Sequence, residues 1–236
     1  MPLEKVSIVN LRLYMKVFVL FSLFLILYIP ILPALVSDWF YHGDYFHTDN
    51  SHCVLIPFIS GYFLWTQKNE LLSHNVSASW LGLVLLLGSL LIFFVSTAGG
   101  IVFFARLSMI STIAGLVYFN CGRAFLSKVL FPIGFLCFMI PVPYSIMQLI
   151  SIPLQTLVTD ISVYVIRDIL SIPVFREGNL LRFARASLEV AEACSGIRSL
   201  VAYIMLGFLF SYFTPGTLLK KIILILFSVP AAIVAN

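Results

Sequence analysis

From Asn75 to Gly122 the chain carries one charged residue, Arg106, within two apolar runs, 79–96 and 101–119, parted by Gly99-Gly100. The hydrocarbon core of a bilayer, about 30 Å thick, is crossed by roughly 20 apolar residues in a helix. The two runs therefore predict a helical hairpin that crosses a membrane and returns to a basic turn with Arg123 and Lys128, which reads as cytoplasmic. The composition of the whole 236-residue chain agrees: 61% of it is hydrophobic and 10% charged, against about 45–50% and 25% in a soluble domain. That composition excludes a water-soluble globule, a disordered chain, a coiled coil and a nucleic-acid-binding domain, each of which needs polar or densely basic surface.

Other segments follow the same test. Residues 14–36, with Lys5, Arg12 and Lys16 before them or at their start, read as a retained anchor, because no small-residue cleavage site follows. The stretch 37–52 lacks Lys and Arg but holds Asp38, Asp44 and Asp49, and is expected outside. Residues 53–66 are apolar but short, and Pro57 and Gly61 are expected to break them, giving either a tilted span ending near Lys68 or a re-entrant segment. Residues 129–144 read as an outward span that stops at Pro141 and Pro143, where a missing donor and a fixed φ make helix continuation costly. From 145 to 170, Gln148, Gln155, Asp160, Arg167 and Asp168 interrupt Ile, Leu and Val, a pattern that predicts a segment lying in the interface rather than crossing. Residues 193–213 form a span ending at Thr214-Pro215-Gly216, and Lys220 and Lys221 put that end in the cytoplasm. Residues 222–236 stop short of the roughly 20 needed to cross, so the last helix is expected to be incomplete. The expectation is an all-α polytopic membrane protein, one domain over 1–236, with about seven hydrophobic segments.

Residues 172–190 are the exception to the helical reading. Gly178-Asn179 between two short alternating runs predicts a small extracytoplasmic β-hairpin. Its Arg176, Arg182 and Arg185 would draw it inward by charge, but pairing with Glu177, Glu189 or Glu192 allows it to stay outside.

The chemistry-bearing residues are 189–199, EVAEACSGIRS, which put Cys194 at the start of a membrane helix. Unpaired N–H groups and the macrodipole at a first helical turn favour a thiolate, and Arg198, one turn on, would add to that. Ser195 and Gly196 leave room for a peptide carbonyl to approach the sulfur. The plainer alternative is a small cysteine packed between helices, with Arg198 snorkelling or paired with Glu192. Of the other cysteines, Cys53, Cys121 and Cys137, none suggests a disulfide framework.

Here the chain resembles the exosortase/archaeosortase family of membrane proteins. EVAEACSGIRSL at 189–200 carries the resemblance most specifically, joined by FPIGFLCFMIPVP at 131–143 and IPVFREGN at 172–179. SHCVLIPFISGYFLW at 51–65 resembles the family's early Ser-His-Gly-x-Leu-Val-Pro stretch, with Cys53 where Gly is usual, and VPAAIVAN at 229–236 resembles the start of a later helix that includes Asn236. The resemblance implies a multi-pass enzyme of the plasma (inner) membrane, acting on the extracytoplasmic side and associated with exopolysaccharide production. Its implied substrates are secreted proteins with a C-terminal tripartite sorting signal: a short Pro-containing motif, a transmembrane helix and a basic tail. Cys194 would attack the scissile carbonyl to form a thioester, with Glu192, Ser195, Gly196 and Arg198 supporting it. The family's catalytic Arg and His would fall beyond residue 236, so the chain is expected to be truncated at its C-terminus. A catalytically inactive scaffold or substrate-binding protein lacking that Arg and His is the alternative.

All four histidines, His42, His47, His52 and His74, precede residue 75, and His52 is the candidate substitute base. His42, Asp44, His47, Asp49 and His52 fit no familiar zinc spacing, so no metal is expected. Nor does any motif indicate a nucleotide, flavin, haem or other cofactor; the expected surroundings are membrane lipid, not nucleic acid. Arg106, inside an apolar run, reads either as a snorkelling boundary residue, the reading favoured here, or as a functional intramembrane charge.

Overall fold

The computed structural model describes residues 2–40, 50–72, 77–190 and 197–235. They form helices with one small sheet, in two compact units, Met1–Pro141 and Val142–Asn236.

The first unit opens with α1 (Pro2–Tyr28) and α2 (Leu32–Phe40), bent by 71° across the break. The anchor expected over 14–36 is broken within its length: Pro30 cannot donate a helical hydrogen bond and disfavours helix at Ile29, and the chain restarts with the Leu35 N–H on the Ile31 carbonyl, 2.9 Å. Ser37 to Phe40 are consequently helical, not loop. A 3₁₀ turn (Asn50–Val54) leads into α3 (Leu55–Thr66), which runs unbroken through Pro57 and Gly61. Pro57 is tolerated because it sits in the first turn, where the N–H groups have no intrahelical acceptor. A short α4 (Lys68–Leu72) follows.

The hairpin expected around Gly99-Gly100 is present as α5 (Trp80–Ala98) and α6 (Val102–Cys121), with Gly100 at φ +68°. Gly82, Ser89 and Ser96 are buried on α5, against Ala105, Ser108, Thr112 and Gly115 on α6. Small residues at this seam let the backbones close in, and hydroxyls join them: Thr112 donates to Ser89 Oγ at 2.9 Å, and the fully buried Tyr28 hydroxyl lies 2.8 Å from Thr112 Oγ1. The outer faces are apolar and exposed, as lipid requires.

α7 (Arg123–Phe135) runs antiparallel to α3, since Glu70 pairs with Lys128 (2.6 Å), Ser60 donates to the Pro132 carbonyl (2.8 Å) and Cys53 to the Phe138 carbonyl (3.4 Å). The span expected over 129–144 is corrected: the helix begins at Arg123 and gives way after Phe135 to a 3₁₀ turn, Leu136–Met139, ahead of Pro141 and Pro143. Pro132, which leaves the Lys128 carbonyl without its donor, loosens the ladder just before that change.

In the second unit α8 (Tyr144–Tyr164) continues through a π-helical turn, Val165–Ile169. The segment expected to lie in the interface, 145–170, holds one helical stretch of 25 residues, Ser145–Ile169, that is also long and apolar enough to cross. Strands β1 (Phe175–Glu177), β2 (Leu180–Arg182) and β3 (Ser187–Glu189) form an antiparallel sheet, the expected hairpin with a third strand added. Then α9 (Ile197–Phe213) and α10 (Leu218–Ala235) pack as a second hairpin, Gly207 against Ser228. α10 starts at Leu218, so its helix takes in Lys220 and Lys221 ahead of the run at 222.

Among the described residues three helices are long and apolar enough to cross a bilayer, Trp80–Ala98, Val102–Cys121 and Ser145–Ile169, and the bent α1–α2 pair makes a fourth if it is one span. The expected count of about seven segments is thus not reached by helices of spanning length; His52–Thr66 and Leu200–Phe213 are apolar but shorter.

Candidate functional site

The sequence around Cys194 lies between the sheet and α9. Gly178, at φ +63°, makes the turn that pairs Arg176 with Leu181, and the second turn pairs Leu181 with Leu188. Leu181 is buried at 3% exposure and anchors the sheet's inner face. Glu189, the first residue of EVAEACSGIRSL, closes β3 opposite Leu180, and the Val190 N–H donates to the Asn179 carbonyl at 2.9 Å. Ile197 then opens α9.

Polar groups tie this sheet to α8. Asn179 Nδ2 donates to Gln155 Oε1 at 2.8 Å, Gln155 Nε2 donates to Ser151 Oγ at 3.2 Å, and Thr159 Oγ1 donates to the Gln155 carbonyl at 2.7 Å. Ser151 and Thr159 are buried, while Gln155 and Asn179 are half-buried. Outside it, Arg176 pairs with Asp160 and donates through Nε to the Gly178 carbonyl, 2.7 Å. The pairing foreseen within the hairpin is present as Arg182–Glu177, 2.7 Å.

Of the residues singled out from sequence, Glu192, Cys194, Ser195, Gly196 and Asn236 lie outside the described residues, as do His42, Asp44, His47, Asp49 and His74. Arg198 falls in the first turn of α9. His52 sits, half-buried, in the 3₁₀ turn before α3, its Nε2 3.8 Å from Cys53 Sγ. Cys53 itself is buried, its thiol directed at the Phe138 carbonyl.

Arg106 is not a snorkelling residue. Its side chain is 9% exposed and pairs with Asp38 at 2.7 Å, with Nε buried and without a hydrogen-bond partner. The same corner of the first unit is held by Trp39 Nε1 donating to the Met139 carbonyl, 2.9 Å. Asp38 was legible only as an acidic loop residue; the signal that could have paired it is the need of an intramembrane arginine for a counter-ion. Asp38→Ala should lower stability by about 1–3 kcal/mol, because a buried guanidinium loses its acceptor. A Asp38→Leu, Arg106→Met double variant should recover most of that. Thermal melts in detergent read both; equal melting of wild type and Asp38→Ala would dismiss the pair as a stabilising contact.

Asn179, Gln155, Thr159 and Ser151 were missed as a group. The i, i+4, i+8 spacing of Ser151, Gln155 and Thr159 on α8 is visible in the sequence, but a polar stripe on an apolar helix serves lipid headgroups as readily as a protein partner.

Compared with known proteins, the chain matches no curated protein and no solved structure. The family model described as transmembrane exosortase matches residues 39–236, a region that takes in α3 to α10, the sheet and the whole Cys194 motif. This chain belongs to the transmembrane exosortase family and is a multi-pass membrane protein.

Proposed function

We propose that this chain is a cysteine peptidase or transpeptidase of the plasma membrane that cleaves C-terminal sorting signals of exported proteins on the extracytoplasmic side. The observation that carries the reading is EVAEACSGIRSL at 189–200, which lies within the family match and runs from the last residue of β3 into α9. In this scheme Cys194 Sγ attacks the scissile carbonyl carbon, a C–S bond forms, the C–N bond breaks, and the amine departs with a proton. Water or an acceptor amine then attacks the thioester, the C–S bond breaks, and the thiol is restored. Arg198 holds the thiolate or orients substrate, and Glu192, Ser195, Gly196 and Asn236 complete the motif residues.

Co-expression with an exported protein bearing a Pro-containing motif, a transmembrane helix and a basic tail tests the proposal, with Cys194→Ala as the comparison. Cleavage that depends on Cys194 supports it. Binding of the substrate without cleavage, equal in wild type and variant, would assign the scaffold role instead.

A further inference from the structure

We propose that the free edge of β3 takes up the extended segment of a sorting signal as a fourth strand of the sheet; this rests on the reading of the chain as a sorting-signal peptidase. The ladder between β2 and β3 fixes which backbone groups are available. The Phe183 N–H donates to the Ala186 carbonyl at 2.8 Å and the Val190 N–H to the Asn179 carbonyl at 2.9 Å, with Leu181 opposite Leu188 between them. In an antiparallel pair, residues that exchange hydrogen bonds alternate with residues that do not. Ala186, Leu188 and Val190 therefore turn their backbone groups toward β2, and Ser187 and Glu189 turn theirs the other way, to a side on which no described strand lies. All three residues of β3 are exposed, Leu188 at 58%.

An open edge of this kind is a template for another strand. Hydrocarbon does not tolerate unpaired backbone groups, so the edge belongs outside the bilayer core; the exposed Arg182, Arg185 and Glu189 around it agree. When a peptide adds to a sheet, main-chain bonds give affinity and pockets for alternate side chains give specificity. Here Leu180, Arg182, Phe183, Ala186 and Ser187 line an open pocket of about 440 Å³ where the edge begins. Proline in the signal is accommodated at positions that face away from β3, where no donor is needed. A second copy pairing β3 with β3 would meet over three residues a side, far below the roughly 20–30 that a stable interface uses. A substrate anchored in the same bilayer by its own helix needs less from the edge, because the anchor raises its effective concentration. Glu189 also stands five residues before Cys194, a separation of at most about 18 Å in an extended chain, so edge and proposed nucleophile are no farther apart than a short peptide spans.

The test uses the full chain carrying Cys194→Ala, which holds the signal uncut, in detergent. Its probe is the complete sorting signal of the exported protein used in the cleavage assay, synthesised with a fluorophore and followed by anisotropy. Ser187→Pro removes an outward N–H and leaves the bonds to β2 in place. It should weaken Kd about 3–10-fold, the value of a backbone hydrogen bond, with the melting temperature unchanged. Glu189→Pro should do the same, and it decides the matter if Ser187→Pro fails to fold. Methylating single backbone nitrogens of the probe reads the pairing from the other side: loss of affinity should recur at every second residue of the Pro-containing segment, since alternate amides of an added strand face the edge. Unchanged Kd in both proline variants, no measurable binding, or a methylation profile without that alternation would overturn the proposal. So would self-association of the chain that either proline variant abolishes, which would give the edge to a second copy. Cys194-dependent cleavage with a flat methylation profile would defeat the docking alone. Alternating binding by a chain whose wild type never cuts would defeat the peptidase reading and leave the docking in place.

Discussion

Cys194→Ala should abolish processing of a co-expressed sorting-signal substrate, with a loss in kcat of at least about 10⁴-fold. Removing the nucleophile takes away the covalent route itself, and in a well-studied serine protease such a loss amounts to about 10⁶-fold. What remains after such a loss comes from binding and charge stabilisation, which position a substrate but cannot form the acyl intermediate. Cys194→Ser should be nearly as inactive, since a hydroxyl far from its pKa needs an adjacent base that a thiolate does not. Two measurements check this. Immunoblots of the substrate report the length of the processed form, and intact mass of the wild-type enzyme after a brief reaction should reveal an acyl adduct on the peptide containing Cys194. Continued processing by Cys194→Ala would move the cut to another residue or another protease. Cys53 offers no ready substitute, being buried with its thiol directed at the Phe138 carbonyl.

The parts of the fold that were legible are those in which local pattern and final contacts coincide. The 79–119 hairpin announced itself because both runs have spanning length and Gly99-Gly100 interrupts them, and α5 and α6 end within about two residues of the expected points. Gly178-Asn179 likewise announced a turn. By contrast, Ser187–Glu189 has no alternation of its own; it is a strand because Leu181 and Arg182 offer it an edge. The bend at Pro30 hid inside a run that stays apolar on both sides, where composition is the same for a straight and a broken helix. Arg106 and Asp38 are far apart in sequence, so no window contains both. The candidate site divides in the same way. Its proposed nucleophile, Cys194, stands out in the sequence through the company of Glu192, Ser195, Gly196 and Arg198, whereas the Gln155–Asn179 contact exists only once the turn has folded back on α8.

Adding one methyl group at Gly82 or Gly115 should be strongly damaging to the seam between α5 and α6. A Cβ on Gly82 would run into the backbone nitrogen of Phe119, and one on Gly115 would stand 2.9 Å from the backbone nitrogen and Cα of Leu86. In both places the obstacle is main chain, which cannot change rotamer, so relief requires α5 and α6 to part. Parting them would also stretch the Thr112–Ser89 hydrogen bond and the hydroxyl of Tyr28 that leans on it. Overpacking usually costs about 1–3 kcal/mol, and a clash of two backbones should reach or exceed the upper end. Gly88, on the same helix, meets nothing within 4 Å of its added carbon. There alanine should be neutral or stabilising by about 0.5–1 kcal/mol, since glycine weakens a helix interior. Detergent melts of Gly82→Ala, Gly115→Ala and Gly88→Ala therefore separate steric closeness from helix propensity. If all three behave alike, the seam between α5 and α6 is not held by backbone approach. If the first two fail and the third does not, the seven-residue recurrence of Gly82, Ser89 and Ser96 is the sequence signature of that seam, and the hydroxyls between them are there because only small residues leave room for them.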